Sequence, residues 1–360
     1  TFNTIGNGKE WYWNASDKAS EKRYILGGAF GEPTYMFHDP EAQPALGRLP
    51  SYGIRCVKYT SASAATSAIS GPIEVSSRDR SREKPVPDEM FRVFRSFYSY
   101  DKTDLNAAVD SVDESSPDWR KEKVIFRAAY GNERVIAYLF LPRKSAPPYQ
   151  TVVYFPPSSA LRQGSSRNLS DIGIGNIDFI MRSGRAVVYP VYKSTYERRD
   201  GLLTDRPNTT SSFRAHVIQW YQDFARTVDY LETRKEIDTG KLAYYGVSWG
   251  GVMGAIIPAL EKRLQTAVLV AGGFFQQKTL PEVDQINFAP RVKIPVLMLN
   301  GRYDFFFPPE TSQVPMFRLF STPEKDKRHV LFDAGHAIRG NESIRWTLDW
   351  LDRYLGPVKN

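Results

Sequence analysis

The chain is poor in cysteine and histidine: among its 360 residues there are one cysteine, Cys56, and four histidines. A single cysteine excludes an internal disulfide and a cysteine-rich zinc site. No apolar run approaches the roughly 18 to 20 residues that cross a bilayer, and no basic-then-apolar leader opens the sequence. We therefore expect a soluble chain with no signal peptide and no membrane span, and the compartment stays open.

The sequence does contain enough apolar material for a full core. Hydrophobic residues make up 41% of it and aromatic residues 13%, which excludes a disordered chain. The net charge of +8 raises the question of a nucleic-acid partner. However, acids interrupt the densest basic stretch, residues 78–84, and serine and proline flank it. That composition favours a solvated linker, so no nucleic-acid partner is expected.

The composition divides the chain into three segments. A Ser/Ala-rich and then charged stretch predicts a linker over residues 61–84, between a small module, 1–60, and a larger domain, 85–360. In the larger domain short apolar strands alternate with amphipathic helices, which predicts a mainly parallel sheet covered on both faces. The predicted strands cover residues 122–126, 134–141, 151–155, 186–191, 242–247, 267–270, 296–299 and 330–332, and the predicted helices 177–182, 216–232, 252–260 and 343–355.

A serine flanked by glycines stands between a predicted strand and a predicted helix. The sequence is Gly246-Val247-Ser248-Trp249-Gly250, the G-x-S-x-G pattern of a nucleophile elbow. The glycines let the strand and the helix pass closely around a strained serine. The helix then directs its free N–H groups at the reacting centre. Ser248 is therefore the predicted nucleophile.

An acid and a histidine follow the serine, each in a loop just after a predicted strand. Asp304 follows the strand over 296–299, and His336 follows the strand over 330–332. Enzymes with this elbow carry serine, acid and histidine in that chain order. We therefore predict His336 as the general base and Asp304 as the residue that orients it. Asp333 is a rival acid, but it is so close to His336 in sequence that we expect it to shape the loop.

The same pattern predicts the oxyanion hole and the loops of the substrate pocket. The backbone N–H of Trp249 is one expected donor, and the loop after residues 151–155 should supply the other. That loop reads Pro156-Pro157-Ser158-Ser159, and because proline has no N–H we nominate Ser158. Loops near the strand ends should form the pocket. The candidate pocket residues are Tyr192, Lys193, Tyr196, Phe274, Phe275 and Arg162. No metal-ligand cluster or phosphate loop appears, so no metal and no cofactor is expected.

These motifs resemble those of the α/β-hydrolase superfamily over residues 85–357. The resemblance is to the group that holds dienelactone hydrolases, acetyl xylan esterases and prolyl-oligopeptidase-type domains. It rests on the elbow, on residues 227–246 before it and on residues 294–304 around the acid. It implies the α/β-hydrolase fold, here preceded by a small irregular module. The Pro-Pro-Ser-Ser loop departs from the His-Gly-Gly-type sequence that many members carry.

The first sixty residues resemble the C-terminal part of a formylglycine-generating-enzyme (sulfatase-modifying factor) domain. The similarity lies in residues 6–11, 26–30 and 53–57. Those enzymes work through cysteines placed shortly after a Gly-Gly pair, and residues 30–37 contain none. The resemblance therefore implies a non-catalytic module. Such domains are sometimes fused to larger proteins, and because Thr1 starts in the middle of a pattern we expect a larger multidomain polypeptide.

Taken together, the patterns predict a serine hydrolase that cleaves a small-molecule carboxylic ester through an acyl-enzyme. A peptidase or acylaminoacyl-peptidase of the prolyl-oligopeptidase type is the first alternative. Propeller-bearing relatives carry several hundred residues before the hydrolase domain, and only 84 precede it here. A non-enzymatic sensing or accessory module is the second alternative. The presence of all three triad residues argues against it.

Overall fold

A nine-stranded sheet forms the framework of the larger domain. The computed structural model describes residues 8–15, 22–30, 41–56, 58, 71–72, 78, 80, 83–168, 173–338 and 340–358. The strand order of the large sheet is β13-β12-β11-β10-β8-β9-β7-β6-β5. The strands are β5 Ala108–Asp113, β6 Trp119–Arg127, β7 Arg134–Pro142, β8 Tyr149–Phe155, β9 Ala186–Val191, β10 Ile237–Val247, β11 Leu264–Val270, β12 Val296–Gly301 and β13 Lys327–Phe332. From β13 to β9 neighbouring strands are parallel, and from β9 to β5 they are antiparallel. The predicted mainly parallel sheet is confirmed.

Helices cover both faces of this sheet. They are α1 Asp88–Ser96, α2 Asp178–Arg182, α3 Ser211–Leu231, α4 Trp249–Met253, α5 Ile257–Leu260, α6 Val314–Leu319 and α7 Asn341–Leu355. Two separate apolar clusters result: one contains side chains of α1, α3, α4, α5 and α6, the other those of α2 and α7. The strands contribute to both clusters because successive side chains point to opposite faces. The sequence predicted this layered α/β architecture correctly.

Two helices differ most from their predicted bounds. The helix predicted over 252–260 is two short ones, α4 and α5, because Pro258 has no N–H to donate to the carbonyl of Gly254. The long helix α3 begins five residues before the predicted start. Thr210 caps it: its hydroxyl accepts a hydrogen bond from the N–H of Phe213 at 3.2 Å.

The described part of residues 1–60 contains a small four-stranded sheet of its own. Its order is β3-β2-β1-β4, built from β1 Lys9–Ala15, β2 Lys22–Leu26, β3 Glu41–Pro44 and β4 Tyr52–Gly53. Residues 31–37, where the cysteine argument applies, lie outside the described residues, as do most of residues 61–84. Across the residues that are described, every helix is too short or too polar to cross a lipid bilayer.

Candidate active site

The candidate nucleophile lies in a strained turn between β10 and α4. Ser248 has φ 54° and ψ −105°, a conformation that a residue with a side chain rarely adopts. The turn is tight because a Cβ on Gly246 would collide with the backbone of Gly250, and a Cβ on Gly250 would collide with the carbonyl oxygen of Phe155. The two glycines of the motif are thus sterically required. They hold Ser248 at the carboxyl-terminal edge of the sheet.

The three residues predicted as a triad lie in one hydrogen-bonded line. Ser248 Oγ is 2.8 Å from His336 Nε2, and His336 Nδ1 is 2.9 Å from Asp304 Oδ2. An ionised carboxylate only accepts hydrogen bonds, so Nδ1 carries the proton that faces Asp304. In the neutral ring Nε2 is then the acceptor that faces the serine. This arrangement can serve chemically as a nucleophile, a base and an orienting acid.

The acid and histidine loops are joined by their backbones. Gly301 ends β12, and a Cβ there would collide with the carbonyl oxygens of Ala334 and Gly335. The N–H of Arg302 donates to the carbonyl of Phe332 at 3.0 Å, which ties the two loops together at the ends of β12 and β13. Parallel pairing of these strands brings Asp304 and His336 to the same edge although 32 residues separate them.

The two predicted oxyanion donors each begin a short helical segment, one after the serine and one after β8. Trp249 is the first residue of α4, a position whose N–H has no acceptor within the helix. Ser158 is the first residue of a 3₁₀ turn, Ser158–Leu161, and so has the same property. The N–H of Gly250 donates to the carbonyl of Pro156 at 3.2 Å, which joins the elbow to this loop. Both residues thus have an N–H without an acceptor in their own helical segment, and Trp249 and Ser158 remain predicted donors.

A small cavity of about 20 Å³ lies beside Trp249. This is room for about one water molecule, or a group of similar size such as a methyl. Its walls are mostly apolar and come from α3, the elbow helix α4 and the loop 272–291, with Phe275 on the loop side. Asp205 supplies a carboxyl at its edge. Burial raises the pKa of the Asp205 carboxyl, and the nearby Ser158 hydroxyl offsets part of that rise.

The predicted pocket aromatics divide between the cavity and the core. Phe275 lines the cavity. Tyr192 and Tyr196 are buried: the Tyr192 hydroxyl donates to the carbonyl of Tyr154 at 3.0 Å, and the Tyr196 hydroxyl is 2.8 Å from that of Tyr189. Their hydroxyls are thus engaged within the core, so the structure gives both residues a packing role.

The other three predicted pocket residues also have defined surroundings. Phe274 is fully buried. The Lys193 ammonium lies 2.7 Å from Glu133 and 3.5 Å from Asp200, so its charge is balanced within the protein. Arg162 is exposed.

The interpretation of residues 78–84 as a solvated stretch is wrong for Arg80. This arginine is 7% exposed, lines the cavity beside Trp249, and pairs with Asp284. A local charge pattern shows which side chains are polar. It does not show that Arg80 pairs with a buried carboxylate, Asp284, 204 residues away in the sequence. Arg80 and Asp284 are therefore neighbours of the site that the sequence did not reveal.

Comparison with known proteins supports the same fold. Residues 179–344, a range that contains Ser248, Asp304 and His336, match the model of the family described as "Dienelactone hydrolase family". No curated protein matches the chain.

Several solved structures resemble this one at low sequence identity. An acetyl xylan esterase from Paenibacillus sp. R4 is 18% identical with a TM-score of 0.56, over 76% of this chain and 97% of that one. Acetyl xylan esterase 1 from Thermoanaerobacterium sp. JW/SL YS485 is 16% identical with a TM-score of 0.59, over 76% and 96%. A glucuronoyl esterase from Solibacter usitatus is 12% identical with a TM-score of 0.54, over 74% and 92%. The likeness to these solved structures shows that the chain has the α/β-hydrolase fold.

Proposed function

We propose that the chain hydrolyses carboxylic esters through an acyl-enzyme formed on Ser248. The observation that carries the proposal is the line of hydrogen bonds from Ser248 through His336 to Asp304. The match to the dienelactone hydrolase family over 179–344 supports it. The fold likeness to proteins named as esterases is consistent with it.

In the proposed mechanism His336 moves one proton in each half-reaction. Nε2 accepts the proton of Ser248 as Oγ bonds to the carbonyl carbon of the ester. The oxyanion that forms is stabilised by the N–H groups of Trp249 and Ser158. Collapse of this intermediate breaks the bond to the alcohol oxygen, which takes the proton from Nε2. Water then repeats the sequence on the acyl-enzyme and releases the carboxylic acid and free serine.

Asp304 contributes by fixing the ring and stabilising its charge. Its side chain is fully buried, whereas that of His336 is 23% exposed. A buried carboxylate next to the ring favours the imidazolium that exists after each proton transfer, because the interaction is poorly screened there. No cofactor takes part in this scheme.

Covalent labelling tests the proposal most directly. An alkyl phosphonate ester should add to Ser248, with the labelled peptide identified by mass spectrometry. Ser248→Ala should keep the fold and lose p-nitrophenyl acetate hydrolysis by several powers of ten in kcat. Ser111→Ala, on the exposed strand β5, is the matched control and should keep the wild-type rate.

Two outcomes would count against the proposal. Labelling at a serine other than Ser248, or wild-type rates in Ser248→Ala, would remove the proposed nucleophile. Turnover of an aminoacyl anilide at about 1–10 per second would instead favour a peptidase, since an amide leaving group needs more help than an alcohol.

For residues 1–60 we propose an accessory role without catalysis of its own. The segment resembles the formylglycine-generating enzyme but lacks the cysteines through which that enzyme works, and this lack is what supports the proposal. Cys56 is exposed and is the single cysteine in the sequence. The protein should therefore leave a sulfatase-motif cysteine peptide unchanged, with or without copper. Detection of the aldehyde product by mass spectrometry would overturn this assignment.

A further inference from the structure

The segment before the hydrolase domain places a buried guanidinium at the cavity. The side chain of Arg80 is 2% exposed. Its Nη2 donates to the carbonyl of Phe275, and its Nη1 lies 3.4 Å from Asp284 Oδ1. The guanidinium carbon is 4.7 Å from the centre of the Phe274 ring, within cation–π range. One side chain therefore holds three residues of the loop 272–291.

Neighbouring residues hold the same segment to the same loop. The backbone N–H of Arg78 donates to Gln276 Oε1 at 3.0 Å, and its Nη2 lies 2.7 Å from Asp284 Oδ2. Farther along, the N–H of Val86 donates to Asn287 Oδ1 at 3.0 Å. These contacts are spread along the loop, so the segment runs beside it.

The loop that Arg80 holds is connected to the triad. The Phe275 ring is 5.5 Å from the ring of Phe307, which is 5.8 Å from the ring of His336. The N–H of Phe307 also donates to Asp304 Oδ1 at 3.2 Å. Phe275 thus lies between the cavity and the catalytic residues. A shift of its backbone would change both the wall of the cavity and the packing against His336.

The loop is also tied to the elbow helix. The side chain of Gln285 donates to the carbonyls of Val252 and Gly273 at 2.9 and 3.2 Å, and its oxygen accepts from the N–H of Phe275 at 3.1 Å. The inner side of the loop is fixed by these bonds. Arg80 binds the same loop from the preceding segment, and it lines the cavity together with Trp249.

We propose that Arg80 is a specificity-determining residue that fixes the Phe275 wall and thereby limits the length of the acyl group that the enzyme accepts. The inference rests on the proposed function, because it takes the cavity beside Trp249 as the acyl subsite. A space of about 20 Å³ has room for a group of methyl size, so a longer chain would have to displace the cavity wall. Loss of the guanidinium releases the carbonyl of Phe275 and leaves Asp284 with one arginine partner fewer, so the wall can move outwards.

The test compares acyl chain lengths. The specificity constant kcat/KM is measured for p-nitrophenyl acetate, butyrate and hexanoate with the wild type, Arg80→Met and Arg80→Lys. Methionine keeps much of the apolar stem, and lysine keeps the charge but loses the planar fork. The matched control is Arg92→Met on α1, whose side chain is 71% exposed. We expect the hexanoate-to-acetate ratio of kcat/KM to rise at least about tenfold in both Arg80 variants and to stay unchanged in the control.

An unchanged ratio in a folded Arg80 variant would overturn the inference, as would an equal loss on all three esters, which is what a purely structural role predicts. If Arg80→Met does not fold, Arg80→Lys decides. If the wild type hydrolyses none of the esters, the proposed function has failed separately. The inference is then judged on the rates at which methyl and hexyl phosphonates label Ser248, with the same expected change in ratio.

Discussion

The carboxylate of Asp304 faces His336 with one oxygen and its own loop with the other. Oδ2 lies 2.9 Å from His336 Nδ1, while Oδ1 accepts from the N–H groups of Phe306 and Phe307 at 2.9 and 3.2 Å. The two backbone bonds fix the plane of the carboxylate before any substrate binds. The orientation of the imidazole ring is therefore set by the backbone of the acid loop.

Asp304→Asn should leave the fold intact and lower kcat for p-nitrophenyl acetate by about 10⁴, because an amide can hold the ring in the wrong tautomer. Asp333→Asn is the control. The Asp333 side chain is 76% exposed and 3.9 Å from Arg302, so its loss should change kcat less than about twofold. Circular dichroism checks the fold of both. Should Asp333→Asn be the damaging change and Asp304→Asn silent, the acid has been misassigned.

Ser158→Pro, compared with Ser158→Ala, should distinguish the contribution of the Ser158 backbone N–H to catalysis from that of its hydroxyl. Ser158 is the first residue of its 3₁₀ turn and Pro157 before it is extended, with φ −69° and ψ 162°, so proline fits there. The variant removes the N–H together with the hydroxyl, and kcat should fall about 10²- to 10³-fold. Ser158→Ala removes the hydroxyl alone and keeps the N–H, so it should stay near the wild-type rate. Equal rates for the two variants would exclude Ser158 as a donor.

Gly250→Ala should destabilise the protein or prevent folding. The new Cβ would collide with the carbonyl oxygen of Phe155, a backbone atom that cannot move without shifting β8. We expect a loss of about 3 kcal/mol or more in the free energy of unfolding, measured with urea. Gly175→Ala is the matched control, since its Cβ would meet no atom within 4 Å. Equal stability of the two variants would contradict the steric argument.

His329 should make the protein less stable in acid. Burial lowers the pKa of His329 from 6.5 to about 4, and its Nε2 has no hydrogen-bond partner. Because the folded pKa lies below the unfolded one, the unfolded chain binds the proton first. Stability is therefore lost as pH falls from about 6.5 to about 4, by at most roughly 3 kcal/mol.

Comparison with His329→Phe isolates this contribution, since other groups also titrate in that range. Phenylalanine keeps an aromatic ring next to Phe317, 5.5 Å away in the wild type. The free energy of unfolding, measured between pH 7 and pH 4, should fall less steeply in the variant. Parallel curves for the two proteins would show that His329 does not carry the effect.

The elements around the candidate site were predictable because their determinants are local. Gly246 and Gly250 mark the elbow by sequence alone, and the strands before Asp304 and His336 are short apolar runs. Parallel strands end at one edge, so chain order sufficed to group the three residues. Their catalytic roles stay predictions until Ser248 is labelled.

The remainder depended on contacts between distant parts of the chain. Arg80 belongs to a polar stretch, and its burial follows from Asp284 and the carbonyl of Phe275. The aromatic character of Tyr192 and Tyr196 suggested a pocket wall, but hydroxyl partners on β8 and β9 hold them in the core. The Arg80–Asp284 pairing spans 204 residues, the Tyr192–Tyr154 pairing 38 and the Tyr196–Tyr189 pairing seven, and no periodicity in the sequence reveals them.

The edge strand β5 of the nine-stranded sheet affects how readily the protein would aggregate at high concentration. It is exposed along its length, including Val109 and Val112, and such an edge can recruit a strand of another molecule and start an ordered aggregate. Asp110 and Asp113 form ion pairs with Lys123 and Lys121 of β6 at 2.8 and 2.9 Å. An approaching apolar strand would have to desolvate these charges. The two ion pairs therefore raise the free-energy cost of adding a strand at this edge.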